Sequence, residues 1–147
     1  MLHTLYLYKI KEAIEEIYSS NSHDEKSLKC VIGETWDGYL DVWDERVYRN
    51  QQTWQWLSIT VDHEKVTIYL VSNEKDRASS DKKAKQVKYG LGELFKGNMW
   101  YKPSNDEGSL DDSRFHIYFN DRIPDFDKIG RRIKDILKEL ETVNKAQ

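Results

Sequence analysis

The sequence predicts an α+β domain: an N-terminal helix, a mainly antiparallel sheet of five to six strands, and a C-terminal amphipathic helix. Three observations predict it. Apolar residues recur at three- and four-residue steps at both ends of the chain, the period of a helix with one buried face. Between those ends they alternate with polar residues in short runs, the period of strands. Asp37-Gly38 and the stretch Asp62 to Lys65 separate two pairs of those runs by turns too short for anything but antiparallel hairpins.

The elements follow in order. From Leu5 to Tyr18, the residues Tyr6, Ile10, Ala13, Ile14 and Ile17 define the apolar stripe of the first helix. Ser19 to Ser27 is a polar connector rich in turn formers. Leu28, Cys30 and Ile32 alternate with Lys29 and Gly33, so a first strand is expected to run up to about Trp36. Asp37-Gly38 suits a two-residue type I′ turn, which needs positive φ at both central residues, and a second strand starts at Tyr39.

Asp44 to Gln52 forms a polar connection to the third strand, where Trp54 and Trp56 share one face and Leu57, Ile59 and Val61 the other. That change of phase at Trp56-Leu57 fits a β-bulge or a strand covered on both faces. After the turn at Asp62 to Lys65, the nearly unbroken apolar run Val66 to Val71 reads as a central strand.

A middle helix is expected where Ala84, Val87, Leu91, Leu94 and Phe95 fall at helical spacing, with Ser79 or Ser80 as cap and Gly97 as stop. Gly90 and Gly92 each cost that helix about 1 kcal/mol relative to alanine, which points to a break or to close packing. Met99 to Tyr101 is a short strand candidate. Phe115, Ile117 and Phe119 alternate with Arg114, His116 and Tyr118 in a clear strand. Finally, Pro124-Asp125 opens a helix whose stripe is Phe126, Ile129, Ile133, Ile136, Leu137, Leu140 and Val143. No internal repeat or linker divides residues 1–147, so one globular domain is expected.

Composition narrows the function. The 147 residues are 33% charged and 38% apolar, a balance that also occurs in disordered chains. The strong periodicity and an aromatic content of 12% instead indicate a folded chain with a heavily charged surface. A net charge of −3 is poor footing for non-specific DNA binding, although it allows a local basic patch. One cysteine permits no internal disulfide, and the first sixteen residues lack the basic start and apolar run of a secretion signal. No stretch approaches the roughly 20 apolar residues of a membrane span, so the cytoplasm is the expected location, without membrane partners.

Catalytic and metal-binding patterns are largely missing, so neither a cofactor nor a metal is expected. His3, His23, His63 and His116 share no metal-ligand spacing, and a single cysteine rules out a zinc site of the finger type. His116, alternating with Tyr118, reads as structural or merely exposed. Gly90-x-Gly92 lacks the third glycine and preceding strand of a dinucleotide cradle. No serine sits in a nucleophile elbow, and Cys30 shares parity with Leu28 and Ile32, which suits a small buried apolar role. The acidic run before Gly108 fails the calcium-loop spacing.

The element order is roughly similar to that of restriction-type nuclease folds, which need an acid on the second strand and an acid-x-lysine on the third. Asp41 supplies the first, but the third strand carries neither acid nor lysine, and Asp81-Lys82-Lys83 lies at a helix start. A catalytically inactive relative of that fold is the most this order implies. Enzyme activity is therefore not expected, short of acids gathered from distant positions.

Aromatics and one basic stretch remain. Five Trp and nine Tyr are many for a chain with a modest aliphatic core. Tyr39 and Trp43 share one face of the second strand, Trp54 and Trp56 one face of the third, and Tyr48 and Arg49 lie between. Tyr, Trp and Arg dominate protein-interface hot spots because they carry large apolar area with a polar tip. For at least one of Trp54 and Trp56 a helix-covered core is the favoured reading, while the interface reading fits better for Tyr39, Trp43 and Tyr48, which sit among charges.

The second candidate is a basic patch of Arg77, Lys82, Lys85 and Lys88, with a solvated helix face as its ordinary explanation. Together these features lead to an expected small non-catalytic protein-binding module, of the inhibitor, immunity or adaptor kind, that occludes a macromolecular partner through an aromatic patch on the sheet. Nucleic-acid binding through residues 77–88 is the alternative, and the same aromatic face would also serve self-association.

Overall fold

The computed structural model describes residues 2–20, 26–33, 38–45, 55–72, 82, 86–87, 90–91, 101–103, 114–119 and 123–145. Along them lie α1 (Leu2–Ser19), β1 (Leu28–Gly33), β2 (Tyr39–Asp44), β3 (Gln55–Val61), β4 (Lys65–Ser72), β5 (Tyr101–Pro103), β6 (Arg114–Tyr118) and α2 (Phe126–Lys145). The strands form one sheet in the order β1-β2-β3-β4-β6-β5, and every neighbouring pair is antiparallel. The α+β class and both terminal helices agree with the sequence expectation.

Local chemistry fixes where α2 begins. Asp125 Oδ1 accepts a hydrogen bond from the Lys128 amide at 3.1 Å, which satisfies one of the amides a helix start leaves unpaired. Its carbonyl oxygen accepts the first helical bond, from the Ile129 amide at 3.0 Å. Pro124, whose ring fixes φ, stands just before that cap. From there Ile129, Ile133, Ile136, Leu137, Leu140 and Val143 turn one buried stripe toward the sheet.

The stripe of α1 is rotated slightly from the one the periodicity suggests. Leu7 and Tyr18 are buried with Ile10, Ala13 and Ile14, whereas Tyr6 and Ile17 are only half-buried. Tyr6 packs instead beside Phe126 at the start of α2, ring centroids 5.4 Å apart, and beside Phe119 at 6.4 Å. The two helices come close at Gly130, where an added β-carbon would lie 3.1 Å from Ile17 Cδ1 and 3.2 Å from Ala13 Cβ.

One hydrophobic cluster joins both helices to a single face of the sheet, through Leu40 and Val42, Leu57 and Ile59, Val66 and Ile68, and Phe115 and Ile117. Full burial of each such side chain contributes about 1.5–3 kcal/mol, far more than helix propensity supplies. Val87 and Leu91 belong to the same cluster. Most of the expected middle helix, the Ser79 to Gly97 segment, lies outside the described residues.

Two expectations about strands are corrected. Gly33 pairs with Tyr39, a different register from the one a two-residue Asp37-Gly38 turn would set, in which Trp36 would face Tyr39; residues 34–37 lie outside the described ones. Gly38 does adopt positive φ, at 65°, as a turn position of that kind favours. β5 ends at Pro103, two residues past the expected Tyr101, with Met99 and Trp100 outside the described residues, and β6 inserts between it and β4.

The second hairpin closes as expected. Val61 pairs with Val66. Asp62 Oδ1 accepts hydrogen bonds from the amides of Glu64 (2.8 Å) and Lys65 (2.9 Å), an Asx turn that holds the reversal. Among the described residues no helix is long and apolar enough to cross a membrane.

Candidate functional site

Because both helices lie against one face, strand alternation sends every second side chain to the opposite, outer face. The register orders these outward residues in rows across the sheet. One row runs Val31, Asp41, Ser58, Tyr69, Arg114. A flanking row begins with Lys29 opposite Trp43 and ends with Trp56 opposite Val71. Continuing the β2–β3 register by one residue sets Trp43 opposite Trp56, and at the other end Tyr39 opposite Thr60. The third row pairs Gly33 with Tyr39, Thr60 with Thr67, and Thr67 with His116.

The two halves of this face differ. Toward β4 and β6 it is closed: Thr67 and His116 are 5% and 6% exposed, and Thr67 Oγ1 lies 3.1 Å from His116 Nδ1 in a buried hydrogen bond. Tyr118 borders that pair, its ring centroid 6.0 Å from that of His116, with Lys65 Nζ 6.0 Å from its own centroid. Toward β1, β2 and β3, and as far as Tyr69 on β4, the face is more open. Tyr39, Asp41, Trp43, Trp56, Ser58 and Tyr69 are half-buried, and Val31 on the edge strand is 50% exposed.

Tyr39 is set in place by its neighbour across the hairpin. Its ring lies where a β-carbon on Gly33 would stand, with the hydroxyl oxygen 2.5 Å from that position. Only a residue without a side chain lets the ring lie flat over β1.

Asp41 stands at the centre of the open half, between Tyr39 and Trp43 along its own strand and beside Ser58 across it. Partial burial raises its carboxyl above the usual aspartate value, and a hydrogen bond from Ser58 opposes that rise.

Of the aromatic residues singled out from the sequence, Tyr39, Trp43 and Trp56 thus come together on one face. Trp56 belongs outside the helix-covered core. Tyr48, Arg49 and Trp54 lie outside the described residues. Asp41 enters the sequence reading only as a potential metal ligand. The alternation Tyr39-x-Asp41-x-Trp43 is the signal that places it inside the aromatic patch.

Of the basic stretch, Lys82 is exposed, while Arg77, Lys85 and Lys88 lie outside the described residues. A β-carbon on Gly90 would meet the Glu139 side chain of α2, and Val87 and Leu91 enter the helix-covered core. Val87, Gly90 and Leu91 therefore lie on the helix side of the sheet, away from Tyr39, Trp43 and Trp56.

Cys30 points toward the helices between Leu28 and Ile32, and burial pushes its thiol up to about 12, which leaves it uncharged and a poor nucleophile at neutral pH. Among the described residues, no group of three or more His, Cys, Asp or Glu side chains is arranged to hold a metal ion. Comparison with known protein families, with characterised proteins and with solved structures gave no match.

Proposed function

We propose that this protein is a small non-catalytic binding module, of the inhibitor, immunity or adaptor kind, that occludes a protein partner with the outer face of its sheet. One observation carries the reading: α1 and α2 cover the same side of the sheet, while Tyr39, Trp43, Trp56 and Tyr69 cluster half-buried on the other. Half-buried rings of this kind provide apolar area with polar tips at little conformational cost, which is what interface anchors need. Tyr48, Arg49 and Trp54, outside the described residues, are proposed as further contacts on sequence grounds, with surrounding charges setting orientation and on-rate. A cytoplasmic setting suits the single cysteine.

The nucleic-acid reading through Arg77, Lys82, Lys85 and Lys88 is less supported. Base stacking beside those lysines needs aromatics on the same surface, and the neighbouring Val87, Gly90 and Leu91 lie on the helix side, opposite Tyr39, Trp43 and Trp56. A catalytically inactive relative of a nuclease-like fold is compatible with Asp41 opposite Ser58 on a third strand without acid or lysine.

The test is affinity capture from the native host with half the sample treated with nuclease, using wild type and Trp43→Ala. A stoichiometric protein that survives nuclease and is lost with Trp43→Ala, at unchanged melting temperature, supports the reading. Bound material that vanishes with nuclease moves the function to the basic stretch. A concentration-dependent mass that collapses to the monomer with Trp43→Ala identifies self-association instead.

A further inference from the structure

The outer-face binding reading leaves open what chemistry the partner presents, and the position of Asp41 answers that question. Resting on that reading, we infer that the outer face receives an arginine side chain of the protein partner, its guanidinium seated on the Asp41 carboxylate between Tyr39 and Trp43.

Four observations carry the inference. The first is placement. Tyr39 and Trp43 stand two residues either side of Asp41 on the same face, so their α-carbons are each about 7 Å from that of Asp41. A carboxylate on a short side chain is thus framed by two long aromatic ones. Second, among the described residues Asp41 has Ser58 as its hydrogen-bond partner and has no ion-pair partner. Lys29, the described cation nearest in register, stands opposite Trp43 and not opposite Asp41. The half-buried negative charge is left for an outside cation to neutralise.

Third, the frame opens outward. Val31, the residue opposite Asp41 on the edge strand, is 50% exposed, and the Tyr39 ring lies back over Gly33 on that same strand. Fourth, the chemistry selects guanidinium over other groups. Its planar face stacks on aromatic rings while its edge donates two parallel hydrogen bonds to one carboxylate, and it sheds water more readily than an ammonium. The closed half of the face lacks this combination, because Thr67 and His116 are already buried against each other.

The test is an NMR titration of the full chain with acetyl-Gly-Arg-Gly-amide and with its neutral isostere, in which citrulline replaces arginine. The arginine peptide is expected to move the Trp43 indole resonance and the amides of Tyr39, Asp41 and Trp43 in a saturable way, at least tenfold more tightly than the citrulline peptide. Raised salt weakens the binding, and Asp41→Asn abolishes the difference between the peptides. Asparagine keeps the size of the side chain and its contact with Ser58, so the fold is retained. Equal binding of the two peptides, binding unchanged in Asp41→Asn, or resonances unmoved at millimolar arginine peptide each overturn the inference.

Capture of the partner from the host separates the two levels of the argument. Loss with both Trp43→Ala and Asp41→Asn supports the arginine contact. Loss with Trp43→Ala but not with Asp41→Asn overturns it and leaves the binding face standing. Retention by both variants removes the binding face, and the arginine contact with it.

Discussion

The Tyr39 ring lies over its cross-strand partner Gly33 and fills the volume a side chain there would take. Gly33→Ala must therefore push the ring off its seat. The expected cost is about 1 kcal/mol in urea unfolding, at the low end of overpacking, because the atoms displaced are the far end of the half-buried Tyr39 side chain. In a Tyr39→Ala background the same change should be neutral or slightly stabilising, since alanine in a strand outperforms glycine. Equal costs in both backgrounds would show that the two residues are not coupled.

The helix crossing at Gly130 predicts a larger effect. A β-carbon is already tight against Ile17 and Ala13, at 3.1 and 3.2 Å, and a longer side chain has no room without separating α1 from α2. Gly130→Leu should cost about 3 kcal/mol, the helix-propensity gain of about 1 kcal/mol notwithstanding. Denaturant unfolding checks this, and a leucine variant as stable as wild type would refute the close crossing.

Thr67 and His116 form a buried polar pair on the closed half of the outer face. Thr67→Val preserves shape and removes the hydroxyl, so it should cost about 1–3 kcal/mol, while Thr67→Ser should cost less because it keeps the hydroxyl partner. The order of the two melting temperatures is the measurement.

Two aspartates should respond to acid in opposite directions. Burial alone would raise Asp62, but the amides of Glu64 and Lys65 and the Lys65 ammonium outweigh it and hold the carboxyl below its usual value. Its contribution is present above the unfolded-state value and lost as pH falls through the lower folded one. Asp62→Asn should therefore destabilise at pH 7, by less than about 1 kcal/mol for so exposed a pair, and the deficit should shrink below about pH 4.

Asp41 is raised, first by burial, so the folded state holds its proton more tightly than the unfolded one. The cost of its charge is present above the raised folded value and fades as pH falls to the unfolded one. Asp41→Asn should match or exceed wild-type stability at pH 7 and lose that advantage in acid. A residue whose removal stabilises the fold yet abolishes binding is the signature of a functional charge.

The sequence by itself determined the elements whose signals are local. Helical spacing and the Pro124-Asp125 start located α2, the Asp62 side chain specified the β3–β4 turn, and alternation put Trp56 on the face opposite Leu57 and Ile59. These depend on residues a few positions apart, so one stretch of chain contains all the information.

Tertiary structure decided the rest. The β1–β2 register pairs Gly33 with Tyr39 and seats the ring over the glycine, a contact that turn propensity at Asp37-Gly38 does not register. The place of β6 between β4 and β5 rests on pairing between segments far apart in sequence. Alternation assigns Tyr39, Asp41 and Trp43 to one face, yet only the packing of both helices onto the other face decides that this one stays half-open. Burial of a sheet face depends on which distant element wins the competition to cover it, and no local pattern carries that outcome.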